Sequence, residues 1–200
     1  MADSKFLGVP GSFAQAVGVD IHSEPGIISA QQALAKDSGT TVVDLILTSV
    51  FASNGASYHF GNAGKIYKRT SAGSWSVLQT VTATPAILGA AEHSDGYIYF
   101  TYSNKVGRIQ VSNDGYTESW NTLTNTNGSY GPMIYHETQD KIFIGNKELV
   151  ASISSASAFT ASALDLKTNY EVRDLVPYDI DLLVGATDQD SNGLSTNLQW

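Results

Sequence analysis

An all-β fold built from repeated, antiparallel sheet units is what this chain predicts, and three observations carry the prediction. Short apolar–polar alternations are bounded by Gly, Asn, Asp and Ser clusters, the mark of pleated strands joined by tight turns. Corresponding strand positions recur at Tyr58, Ile98, Ile142 and Leu182, spaced 40, 44 and 40 residues apart. Only 15% of the residues are charged while Gly reaches 18 in 200, a balance suited to strands and turns and not to helical bundles.

The unit is clearest at Asp95–Trp120, DGYIYFTYSNKVGRIQVSNDGYTESW. Tyr97–Tyr102 alternate as a strand with both faces covered, Ser103-Asn104 turn the chain, Val106–Val111 return, and Ser112–Gly115 turn it again toward Trp120. Upstream, Ser57–Trp75 repeats the plan with strands Ser57–Phe60 and Lys65–Arg69; downstream, Asp140–Phe159 repeats it with Phe159 near the Trp position. A fourth start lies at Asp179–Asp190. Inner strands are expected at Val42–Val50, Ala86–Ala91, Pro132–His136 and Val172–Pro177. A period of about 40–44 residues with four strands per unit is the signature of β-propeller blades.

Taken in order, residues 1–39 stand outside the repeat and are expected to supply a ring-closing strand, with Ser29–Lys36 read as a strand after a turn at Ser23–Gly26. Residues 40–80, 81–123 and 130–166 form three full units, separated before the third by the polar loop Thr124–Ser129. Residues 170–200 begin a fourth and stop before its outer strands, giving about three and a half blades and an incomplete ring. Such a ring leaves open strand edges, so the chain is expected to be a fragment or to take its missing edge from another subunit.

Net charge is −8 and the 11 Lys and Arg form no basic stripe, which argues against nucleic acid as a partner. No cysteine is present, so disulfides and thiolate metal sites are excluded. The start MADSKFLGVPGSF lacks a basic stretch leading into an apolar run, and no window approaches the roughly 18 apolar residues of a membrane span. Folding in a cytoplasm without a signal peptide is the expectation.

Asp188, Asp190 and Asn192 match the first half of a D-x-[DN]-x-[DN]-G calcium loop, whose alternating oxygens converge on a hard cation; Gln199 stands where the bidentate Glu belongs. An ordinary hairpin loop accounts for the same residues, and no other cofactor is implied. Of the histidines, His93 and His136 fall at similar places in successive units, and His59 lies within a strand between Tyr58 and Phe60. No P-loop, GxGxxG, HExxH or nucleophile–base spacing occurs. Asp44, Glu92, Asp174 and Asp181 are carboxylates that only the fold can pair. The chain is therefore not expected to be an enzyme. Ten tyrosines among Asn-, Ser- and Thr-rich loops suit either contacts between blades or the binding of sugars and proteins.

The turn Ser112–Trp120 resembles the Asp-box of sialidase-like propellers, S-x-D-x-G-x-T-W, with the Gly displaced and extra residues before the Trp; Ser71–Trp75 is a weaker echo. That resemblance implies structural roles: Asp114 capping backbone amides, Gly115 in the turn, and Trp75 and Trp120 packing between blades at equivalent places. The units GNAGKIYKRTSAGSWSVLQT, ILGAAEHSDGYIYFTYSNKVGRI and YEVRDLVPYDIDLLVGATD resemble propeller-like proteins of tailed bacteriophages and related virion components, over roughly Val43–Thr187. This resemblance implies a non-catalytic virion or tail-associated structural or adhesion module. Its partner would be a virion subunit, another copy of the chain or a host glycan. The alternatives are a sialidase-like glycoside hydrolase, which needs an arginine cluster that Arg69, Arg108 and Arg173 supply sparsely, and a cellular propeller scaffold for protein binding.

Overall fold

The structure, a computed structural model, describes residues 42, 44–128, 130–155 and 158–187, with backbone alone at 19–20, 29–30, 188 and 195–199. The chain divides into two compact units, Met1–Gly39 and Thr40–Trp200. In the first, β1 (Val19–Asp20) pairs antiparallel with β2 (Ser29–Ala30). The remainder of the expected ring-closing segment lies outside the described residues.

The second unit consists of four antiparallel sheets, and no helix occurs among its described residues. The first sheet holds β3 (Ile46–Phe51), β4 (Ser57–Gly61), β5 (Lys65–Arg69) and β6 (Trp75–Thr80). The second holds β7 (Ile87–Glu92), β8 (Tyr97–Tyr102), β9 (Lys105–Gln110) and β10 (Tyr116–Thr122). The third holds β11 (Met133–His136), β12 (Lys141–Asn146), β13 (Leu149–Ser155) and β14 (Ala158–Asp165). The fourth holds β15 (Tyr170–Tyr178), β16 (Asp181–Asp188) and β17 (Ser195–Gln199), so it contains one outer strand beyond what the sequence suggests. Within every sheet the strands follow chain order, as hairpins joined by short loops must.

The first strands of successive sheets are neighbours: β3 lies against β7, β7 against β11, and β11 against β15. This places the four sheets in sequence order around their first strands, a propeller-like arrangement. Alternation along each second strand then fills the spaces between sheets. Tyr58, Phe60 and Ile66 meet Ile98, Phe100 and Ile109; Tyr99 and Val106 meet Ile142, Ile144 and Ile153; Phe143 and Val150 meet Val172, Val184 and Ala186. Each cluster thus buries several large apolar side chains, at roughly 1.5–3 kcal/mol apiece.

Two glycines record close packing, Gly89 between sheets and Gly107 within one. A Cβ on Gly89 of β7 would stand 2.3 Å from the Gly131 carbonyl oxygen at the head of the third sheet. One on Gly107 of β9 would stand 2.2 Å from Cζ of Phe100, and 2.7 Å from the Glu118 carbonyl oxygen. Opposite Gly107 the outer strand bulges: β10 runs from Thr117 to Asn121 while β9 runs only from Arg108 to Val106. The third sheet repeats this, Thr160 to Leu164 facing Ser152 to Val150, whereas β6 carries a smaller irregularity between residues opposite Ile66 and Tyr67.

Candidate functional site

The residues singled out in the sequence are placed as follows. Asp188 ends β16, its backbone paired with Tyr170 and Ser195, while Asp190 and Asn192 lie outside the described residues. Among the described residues no group of three or more His, Asp or Glu side chains is arranged to hold a metal ion.

Asp114 is placed differently from the Asp-box expectation. Its carboxylate accepts from Nζ of Lys68 with both oxygens at 2.7 Å and from the Tyr58 hydroxyl at 2.9 Å, tying the second sheet to the first. The turn amide of Gly115 is capped by Oδ1 of Asn113 at 2.8 Å. Asp114, with φ 60, adopts the left-handed conformation that the turn requires. Burial pushes the Tyr58 phenol above its ordinary range, with Asp114 adding to it. At Lys68 burial favours the neutral amine, but Asp114 and Tyr58 outweigh it and the pKa rises.

The two tryptophans are not equivalent. Trp120 sits in the bulge of β10, its ring 5.1 Å from Tyr99 and 6.0 Å from Phe159 of the next sheet, with the Arg108 guanidinium 5.3 Å away. Trp75 stands opposite Arg69 at the start of β6 and packs on His59 of its own sheet at 4.8 Å. In register, the counterpart of Phe159 is Tyr116: they face Ile153 and Ile109 respectively.

His93 and His136 are equivalent, each following or ending a first strand and each almost fully buried. Nδ1 of His93 accepts the Asp95 amide at 3.1 Å, so Nε2 carries the proton and donates to the Asp140 carbonyl at 3.1 Å, across to the third sheet. Oδ1 of Asp95, 3.4 Å from Nδ1, is already accepting from the Tyr97 amide. His136 repeats the plan, accepting the Gln139 amide at 3.3 Å and donating to the Asp181 carbonyl at 2.7 Å, across to the fourth sheet. In the first sheet the matching position is Ala52, and the contact is made by Ser53, whose amide and hydroxyl donate to Glu92 at 2.8 and 2.6 Å. Recurrence of His93 and His136 thus reflects a repeated clasp between sheets.

The arginines likewise stay with local partners. Arg108 lies over Tyr97 at 4.5 Å, and Arg173 lies over Tyr130 at 3.7 Å while pairing with Glu171 at 2.7 Å. Arg69, Arg108 and Arg173 fall on three different sheets.

A groove that the sequence does not single out lies where the third and fourth sheets meet. Tyr130, 47% exposed, has one ring face over the Arg173 guanidinium; Nε of Arg173 donates to Thr187 at 2.8 Å. The opposite wall is the two-residue turn after β12, where Lys147 has φ 56 and its carbonyl accepts the Val172 amide at 2.8 Å. The loop between them is fixed by Asn146, wholly buried, whose amide group donates to the Asn125 carbonyl and to Oδ1 of Asn127, both at 2.7 Å, and whose Oδ1 accepts the Asn125 amide at 2.8 Å. The result is a depression of about 530 Å³ between Tyr130, Lys147 and Arg173, adjoining a second of about 210 Å³ beside Glu148 and Asn169. The asparagines of Thr124–Ser129 are the one sequence signal that points to it.

No family model matches the sequence, and no curated protein does. Solved structures do match. A virginiamycin B lyase from Staphylococcus aureus is 18% identical, with 87% of this chain and 59% of that chain covered at a TM-score of 0.59. An auxiliary nutrient binding protein from Bacteroides ovatus is 11% identical, with 78% and 42% covered at 0.55. The extracellular domain assigned to a one component system of B. thetaiotaomicron is 16% identical, with 82% and 23% covered at 0.60. The chain therefore spans less than two thirds of each. At these identities the likeness is one of fold, and it identifies the four sheets as propeller-like.

Proposed function

We propose that this chain is a non-catalytic binding module, a rigid propeller-like scaffold that recognises a protein partner or a glycan through the loops at its sheet ends. The observation that carries this reading is the use made of the acid–base residues. His93 and His136 have both ring nitrogens committed to backbone groups that join sheets. Asp114 is taken by Lys68 and Tyr58, and Asp140 accepts from Ser94 and Tyr135, which hold its carboxyl below the ordinary range. Proton transfer to a substrate requires a group within reach of it, and these groups are spent on the fold.

The same fold carries a lyase and a nutrient binding protein, so architecture alone favours neither class. The sialidase-like alternative calls for convergent arginines, and Arg108 and Arg173 lie on different sheets, each stacked on a tyrosine ring. Placement in a tailed-phage virion, after folding in a cytoplasm, rests on the sequence resemblance alone and is part of this proposal. The test pairs two assays on the purified chain: release of product from glycoside substrates, and retention on host cells or on virion proteins. Retention without turnover is the expected result; turnover abolished by His136→Asn or Asp181→Asn overturns the proposal.

A further inference from the structure

We infer that the groove beside Tyr130 is a carbohydrate site that takes a short oligosaccharide laid across its two adjoining depressions. The inference deepens the binding-module reading and rests on it.

Four features of the groove select this ligand chemistry. The first is a fixed aromatic face. Tyr130 is nearly half exposed, yet its ring is held over Arg173 at 3.7 Å, and Arg173 is itself tied to Glu171 and Thr187. One ring face is thus occupied and the other is presented in a set orientation, the arrangement by which tyrosine stacks on the C–H face of a sugar ring. The second is the mixture of charge. Lys147 and Glu171 line both depressions and Glu148 lines the smaller one, with Glu171 paired to Arg173 at 2.7 Å. Donors and acceptors in one lining suit hydroxyl groups, which do both.

The third feature is shape. Lys147 and Glu171 line both depressions, so the two lie side by side and together offer room for more than one sugar ring. That outline accommodates a chain of rings better than a compact cofactor. The fourth is rigidity. Asn146 and Asn127 satisfy each other and the loop backbone inside the wall, with Asn127 6% and Asn146 0% exposed. A loop fixed in this way loses little entropy when a weak ligand arrives.

The probes are maltohexaose, cellohexaose, chitohexaose and xylohexaose, titrated into the intact chain with binding read by calorimetry and product formation by chromatography. At least one is expected to bind with a Kd of about 1 mM or tighter. Tyr130→Ala is expected to weaken it about tenfold with an unchanged melting temperature, since loss of one stacking contact is worth about that factor. Tyr178→Ala, at an exposed tyrosine of β15, is the control and should leave affinity alone. Binding that is indifferent to Tyr130→Ala places the sugar elsewhere, overturning this site while sparing the binding-module reading. Binding to none of the four overturns the carbohydrate assignment. Cleavage of a bound hexasaccharide contradicts the module reading itself.

Discussion

Lys68 of β5 reaches across the first intersheet space to Asp114, with Nζ 2.7 Å from each carboxylate oxygen, and the same carboxylate takes the hydroxyl of the buried Tyr58. The contact joins a strand of the first sheet to a turn of the second, 46 residues apart, and fixes one sheet on the other. Asp114→Asn keeps the shape and removes the charge. It should cost about 1–3 kcal/mol, because Lys68 is left mostly buried without its counter-charge. Urea unfolding of the variant measures this; an unchanged midpoint would show that the pair is solvated and idle.

Gly107→Ala should be among the most damaging single-methyl additions in the chain. The new Cβ meets the Phe100 ring and the Glu118 carbonyl oxygen of the β10 bulge, neither of which is a free side-chain end. A loss of about 1–3 kcal/mol is expected from overpacking. Gly128→Ala, where an added Cβ meets nothing within 4 Å, is the matched control for thermal unfolding.

The tryptophans should differ. Trp120→Ala removes a ring that bridges Tyr99 and Phe159 of the adjoining sheet, and should cost about 2–4 kcal/mol, slightly below the value for a fully buried aromatic. Trp75→Ala loses its packing on His59 of its own sheet and should cost about 1–2 kcal/mol. Equal losses in chemical denaturation would restore the equivalence that sequence comparison suggests.

Stability should fall on acidification through the histidine range, with His59 contributing. Burial, and then the nearby Arg69 charge, lower its pKa from the ordinary 6.5. Between that value and the lower folded one, the unfolded chain binds a proton and the folded chain does not, so stability drops as pH falls through this window and levels off beneath it. His59→Gln should flatten that part of the melting-temperature profile measured from about pH 7.5 to 5. A steeper profile in the variant would mean that His59 gains, not loses, proton affinity on folding.

Much of the fold is written in local pattern. Lys65–Arg69 reads as a strand and is β5; Tyr58, Ile98 and Ile142, matched by spacing alone, are all wholly buried at the sheet contacts. The outer strands are less legible because bulges break the count. The extra residues opposite Gly107 carry Trp120 out of register, so Phe159 aligns with Tyr116. The turn at Asn113–Gly115 is legible as a turn, but a carboxylate's partner on another sheet is not, and Asp114 faces Lys68 instead of backbone amides. The groove is the least legible of all. Tyr130, Lys147 and Arg173 come from a loop, a hairpin turn and a first strand, and only the stacking of the third and fourth sheets brings them together.

His93 and His136 clasp neighbouring sheets through both ring nitrogens. Two-dimensional 15N–1H NMR of the imidazole rings tests this clasp most directly, since it reads which nitrogen carries the proton. His93 and His136 should both carry their proton on Nε2, with those protons protected from exchange by their bonds to the Asp140 and Asp181 carbonyls. Rings protonated at Nδ1, or exchanging freely with solvent, would contradict the clasp.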